Sequence, residues 1–180
     1  MRLFISIPLP EELLTHLKEL QILINDESAR LRFVNDFHLT LKFLGEVGND
    51  KLAPLKEKLS LVSFTPFDLQ LDAVGVFPDT DHLRVIWAGV TPHQPVVELQ
   101  QQIDAALSGL FPKDDRFHPH ITLARVAFVK DKVRYNDVLK NVTVNKLSFP
   151  VNRFDLMEST LTPGGPVYGT LFSFQAPKAL

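Results

Sequence analysis

Two runs of this chain, HLTLKFLG beginning at His38 and HITLARV beginning at His120, open with the same His-x-Thr-x pattern and alternate polar with apolar residues. That alternation marks a half-buried strand. Successive side chains on a strand point to opposite faces. Strict alternation therefore puts His38 and Thr40 on one face and Leu39, Leu41 and Phe43 on the other. The second run repeats this, with His120 and Thr122 on one face and Ile121 and Leu123 on the other. The chain must anchor two such strands, 82 positions apart, and leave an imidazole beside a hydroxyl on the free face of each.

The surrounding pattern predicts mixed elements. Arg2–Pro8 reads as a strand, and Pro10–Leu23 as a helix with Glu11 and Glu12 in its first turn, where the helix dipole favours acids. Leu31–Val34 is a short apolar piece before the first motif strand, expected over Phe37–Leu44 and broken by Gly45 and Gly48. A helix is expected over Lys51–Val62, capped by Asn49 or Asp50. Strands follow at Phe67–Val76 and Leu83–Val90, a helix at Pro95–Leu110 and the second motif strand at Pro119–Ala127. Lys130–Leu139 reads as a weaker helix, and Val142–Phe149, Arg153–Ser159 and Val167–Phe174 as closing strands. This order argues for an α+β fold with antiparallel sheets in one domain, residues 1–180. The strand–helix–motif-strand order occurs about twice, which suggests a pseudo-repeat of two lobes.

With 180 residues and 45% hydrophobic content the chain can bury a sizeable core. It has no cysteine, which excludes disulfides and thiolate metal sites. No apolar run approaches membrane-spanning length, and the N-terminal stretch is too short for a signal peptide, so a cytoplasmic protein with no membrane partner is expected. The net charge of −2 argues against gripping long nucleic acid through many phosphates. An RNA partner would be held by a short stretch or an end, and the chain is expected to act as a monomer.

Two imidazoles suit phosphodiester chemistry. In-line displacement at phosphorus needs a proton removed from the attacking oxygen and one delivered to the leaving oxygen. Histidine, with an ordinary pKa of about 6.5, serves either role near neutrality. If each nitrogen reaches its own apical oxygen, the two lie roughly 6–9 Å apart. Thr40 and Thr122, two residues along from their histidines, can donate to the non-bridging oxygens as charge builds there. No metal or other cofactor is required by this scheme.

FHLTLKFLGE and HPHITLARV resemble the motif strands of the two-histidine phosphoesterase superfamily, and most closely its RNA 2',3'-cyclic phosphodiesterases, also called 2'-5' RNA ligases. The opening RLFISIPLP and the closing Pro166–Phe174 strand extend the resemblance over most of the chain. The resemblance implies a bilobal α+β fold of antiparallel sheets facing across a central cleft, with helices packed outside. It implies metal-independent hydrolysis of RNA 2',3'-cyclic phosphate ends to 2'-phosphates, with weak 2'-5' ligation as a related activity. It further implies His38 as proton donor to the leaving 3' oxygen, His120 as the base that activates water, and Thr40 and Thr122 as phosphate-holding hydroxyls. The sequence alone does not orient the two histidines.

Alternatives from the same residues are a phosphodiesterase for another small ester, such as a cyclic ADP-ribose phosphate or a 2'-5' oligoadenylate, and a non-catalytic binder of RNA termini. Arg125 falls by strict alternation on the face opposite His120, where it would cap carbonyls or pair with an acid; a bulge could instead aim it at substrate. Lys42 reads as a solvated strand lysine, and Phe4 and Tyr168 as core residues rather than base-stacking ones. His118 reads as a loop residue shaping the turn, without ligand partners for a metal, and His16, His82 and His93 as surface residues.

Overall fold

The computed structural model describes residues 1–177. In chain order the elements are β1 (Arg2–Ile7), α1 (Glu11–Leu23), β2 (Ala29–Phe33), β3 (Leu39–Glu46), α2 (Asn49–Ser60), β4 (Phe67–Phe77), β5 (Val85–Thr91), α3 (Gln94–Ala106), β6 (His120–Val129), α4 (Lys132–Lys140), β7 (Ser148–Val151), β8 (Arg153–Thr162) and β9 (Gly165–Gln175). Leu31–Val34 contributes to a true strand, β2, and α2 starts from Gly48 rather than from an Asn49 or Asp50 cap. β7 is shorter than Val142–Phe149.

All strand pairs are antiparallel, in the order β7-β4-β5-β6-β3-β1-β8-β9, with β2 also on β6. The α+β class and two-lobed plan read from the sequence hold. One lobe's sheet is β3-β1-β8-β9 and the other's is β2-β6-β5-β4-β7. They join along one seam, between the motif strands, where the β3–β6 ladder consists of the single pair Leu39↔Ile121. Both residues are fully buried. Each contributes about 1.5–3 kcal/mol of burial to the seam.

The order β1-α1-β3 recurs as β5-α3-β6, with the helices exchanged: α1 packs on β6 and α3 on β3. Each motif strand is therefore backed by the helix that belongs to the other half. Leu13, Leu17 and Leu20 of α1 and Val96, Leu99 and Ile103 of α3 are buried at helical spacing. His16, expected on the surface, is 6% exposed. Its Nε2 accepts from the backbone N–H of Asn145 at 3.0 Å, so the α1 stripe buries it with its polar atom satisfied.

Candidate active site

The seam register builds the site. Extending the antiparallel pair Leu39↔Ile121 by one residue each way sets His38 opposite Thr122 and Thr40 opposite His120. All four side chains then share one face, because their sequence neighbours Leu39 and Ile121 fill the core on the other. Directly opposed positions lie about 4.5–5.5 Å apart at Cβ and the diagonal about 7–8 Å, which is the His38–His120 relation. Each imidazole thus faces the other motif's hydroxyl, about a pseudo-twofold axis through the seam.

A β-bulge follows each motif. In the β1–β3 ladder Ser6 opposes Thr40 and Ile5 opposes Lys42, which leaves Leu41 as an extra residue. In the β5–β6 ladder Trp87 opposes Thr122 and Ile86 opposes Ala124, which leaves Leu123 extra. An extra residue exchanges the two faces for everything beyond it. Arg125 therefore joins the His120 face and lines the cleft, as does Phe43 at the matching position of the first motif. Both assignments by strict alternation are corrected by the same feature.

Lys42 is corrected too. It turns inward, is 4% exposed, and its Nζ contacts a carboxylate oxygen of Asp104 on α3 and donates to the Pro112 carbonyl at 2.7 Å. The other Asp104 oxygen accepts from Gln100 Nε2 at 2.7 Å and from the Asp114 backbone N–H at 3.0 Å. This buried pair ties β3 to the loop that leads into His120. In the other half, Gln21 of α1 donates to the carbonyl of the bulged Leu123 at 2.8 Å and to that of Val34 at 2.9 Å. Each exchanged helix thus fixes the region of the bulge in the strand it backs.

A cavity of about 470 Å³ opens on the His38 side of the cleft, lined by Phe4, Phe43, Arg125 and Tyr168 among others. The His38 ring lies 4.9 Å from Phe4 and 5.1 Å edge-on from Tyr168, centroid to centroid. Phe4 is buried, yet it and Tyr168 line this cavity and are not simply core. A larger hollow of about 670 Å³ between α1 and α4 contains no histidine. On the other side of the site Phe77 stands edge-on to His120 at 4.9 Å, and Trp87 lies 4.9 Å from Phe77 and 5.1 Å from His118. Phe77 and Trp87 escaped the sequence reading, and Phe43 was placed on the wrong face by it. The cross-strand partner of Thr122 was the signal for Trp87, and it is legible only once the register is known.

Burial sets the protonation chemistry. It pushes His38 down to about 4; the Asp36 backbone carbonyl opposes this and the charge of His120 adds to it. His120 is also held below its ordinary value, first by burial, with the His118 carbonyl opposing and the charges of His118 and Arg125 adding. Both rings are therefore neutral near pH 7. His120 Nδ1 lies 2.7 Å from the His118 carbonyl oxygen, which can only accept, so Nδ1 carries the hydrogen. Its Nε2 is left with a lone pair, the form a general base requires. Tyr168 is raised, first by burial and then by Asp36.

Two imidazole–hydroxyl arms at the seam of a two-lobed antiparallel sheet define the architecture of the two-histidine phosphoesterases. Residues 9–162 match the family model described as 2'-5' RNA ligase superfamily, and the chain belongs to that superfamily. The RNA 2',3'-cyclic phosphodiesterase of Methanocaldococcus jannaschii is 37% identical over 171 residues, covering 93% of this chain and 96% of that protein. That of Thermotoga maritima is 31% identical over 180 residues, covering 97% and 95%. Among solved structures, Escherichia coli LigT in apo form superposes with a TM-score of 0.77 at 28% identity over 98% of each chain. LigT has also been crystallised with 3'-AMP and with phosphate.

Proposed function

We propose that this chain hydrolyses RNA 2',3'-cyclic phosphate ends to 2'-phosphates. The reading is supported above all by the seam pair Leu39↔Ile121, whose neighbours, two imidazoles and two hydroxyls, fall on one face of adjoining strands. The relatives named RNA 2',3'-cyclic phosphodiesterase support the same substrate class.

In this scheme the cyclic phosphate sits between the rings. His120 Nε2 removes a proton from water as the water oxygen bonds to phosphorus. The bond from phosphorus to the 3' oxygen breaks, and His38 delivers a proton to that oxygen. Thr40 and Thr122 donate to the non-bridging oxygens, and Arg125 supplies a guanidinium for substrate. His38 is neutral in the free protein near pH 7. The phosphate monoanion favours its charged form and so loads the acid together with the substrate. Solvent exchange returns the proton from His120 and recharges His38. With a 5'-hydroxyl of a second strand in place of water, the same proton transfers form a 2'-5' phosphodiester as the bond to the 3' oxygen breaks, which is the route to a weak 2'-5' joining activity.

The test is hydrolysis of cytidine 2',3'-cyclic phosphate in the presence of EDTA. Turnover to the 2'-phosphate is expected, and His120→Ala should lower kcat by about 10²–10⁴-fold. Unchanged turnover in His120→Ala would refute the assignment. Tight binding without single-turnover hydrolysis would favour an RNA-terminus binder. The soluble, monomeric, cytoplasmic state expected from the sequence belongs to the same proposal; among the described residues no helix is long and apolar enough to cross a membrane.

A further inference from the structure

Arg32 of β2 is the cross-strand partner of Arg125. Paired residues share a face, so Arg32 stands on the cleft side beside the guanidinium that lines the cavity. Like charges directly opposite one another are unfavourable in a sheet. Among the described residues no acidic side chain forms an ion pair with either arginine, although the chain has 21 acidic residues. Arg134, by contrast, is matched by Asp26 and Glu27, and Arg153 by Asp155. Arg2 lines the same cavity. Two adjoining, exposed and acid-free guanidinium groups at the rim of an anion-binding cleft are a ready site for a second anion.

Their place along β6 says which anion. Thr122 and Arg125 oppose Trp87 and Val85, two residues apart, so with the bulge they are separated by roughly 7 Å along the strand. A span of that order is what one ribose puts between consecutive phosphates of a strand. We propose that Arg32, with Arg125, forms a second phosphate site that takes the phosphodiester immediately 5' of the cyclic end. The preferred substrate is then an oligonucleotide terminus and not a cyclic mononucleotide. This inference rests on the hydrolytic reading of the cleft and adds a residue and a substrate feature to it.

The experiment compares kcat/KM for cytidine 2',3'-cyclic phosphate, its 5'-phosphorylated form, the dinucleotide CpC with a 2',3'-cyclic end, and the same dinucleotide with an uncharged methylphosphonate link. The native chain should favour the two substrates with an upstream phosphate by about 5-fold or more, the gain from a charge-assisted phosphate contact. In Arg32→Gln the dinucleotide-to-mononucleotide ratio should fall by a similar factor, with Arg32→Lys retaining part of it. The salt slope of log kcat/KM for the dinucleotide should become shallower by about one. A ratio unmoved by Arg32→Gln, or by the methylphosphonate, would overturn the proposal. A gain that needs the upstream nucleoside but not its charge would do the same. If no substrate is turned over, hydrolysis itself fails as a reading. The second site is then judged by the same ratio in affinities for the 2'-phosphorylated mono- and dinucleotide, read from Trp87 fluorescence.

Discussion

Replacing His38 with phenylalanine should flatten the acid sensitivity of folding. The native ring is half-buried against Phe4 and Tyr168 and held down to about 4 from an ordinary 6.5. The unfolded chain therefore binds a proton at this residue between those values while the folded chain does not. Stability that is present above pH 6.5 is lost as pH falls toward 4. Integrating over that interval, the native protein loses about 2 kcal/mol through His38 by pH 5 and about 3 kcal/mol by pH 4. The phenylalanine of His38→Phe carries no proton and removes this component while keeping a ring of similar shape. Urea unfolding at pH 7.5 and pH 5.0 of both proteins isolates the effect, since the other groups cancel in the difference. With a urea slope of about 2 kcal/mol/M, the gap between the two midpoints should change by about 1 M in favour of the variant on acidification. Midpoints that move in parallel would refute the claim that His38 is held neutral by burial.

The same shifts bear on the proposed reaction. With both imidazoles below 6.5, the limbs of the kcat/KM profile for cytidine 2',3'-cyclic phosphate should both lie on the acid side of 6.5, and a plateau from pH 7 to 9 would contradict this. Lys42→Met leaves the Asp104 carboxylate buried without its cation and should cost about 3–5 kcal/mol in urea unfolding, whereas adding Asp104→Leu should recover at least half of the loss. A Cβ added at Gly75 would fall 2.2 Å from the Trp87 indole, so Gly75→Ala should displace that ring at a cost of about 1–3 kcal/mol. Trp87 is the sole tryptophan, so the displacement should alter its emission; identical spectra would show that the ring does not rest on Gly75.

Periodicity carried the site in outline. Alternation in HLTL and HITL was enough to put each histidine with its threonine on a free face, because Leu39 and Ile121 have to enter the core. The doubled strand–helix–strand order was likewise visible, since element type follows from local spacing. What lay beyond local spacing was the pairing of strands. The seam pair Leu39↔Ile121, which turns two separate motifs into one site, brings together residues far apart in the chain, and no local pattern encodes it.

The bulges at Leu41 and Leu123 mark the same boundary. Both are apolar residues in an apolar–polar rhythm, and nothing in that rhythm announces that one residue will be left unpaired. α3 and α1 cross to the opposite strands and contact them beside the bulges, through Lys42–Asp104 and through Gln21 on the Leu123 carbonyl. The shifted register puts Arg125 and Phe43 on the cleft side and Lys42 inside. The sequence by itself determined the two imidazole–hydroxyl pairs, since a face is set by a two-residue repeat. The residues that surround them were decided by strand register and helix exchange, which depend on contacts between distant parts of the chain.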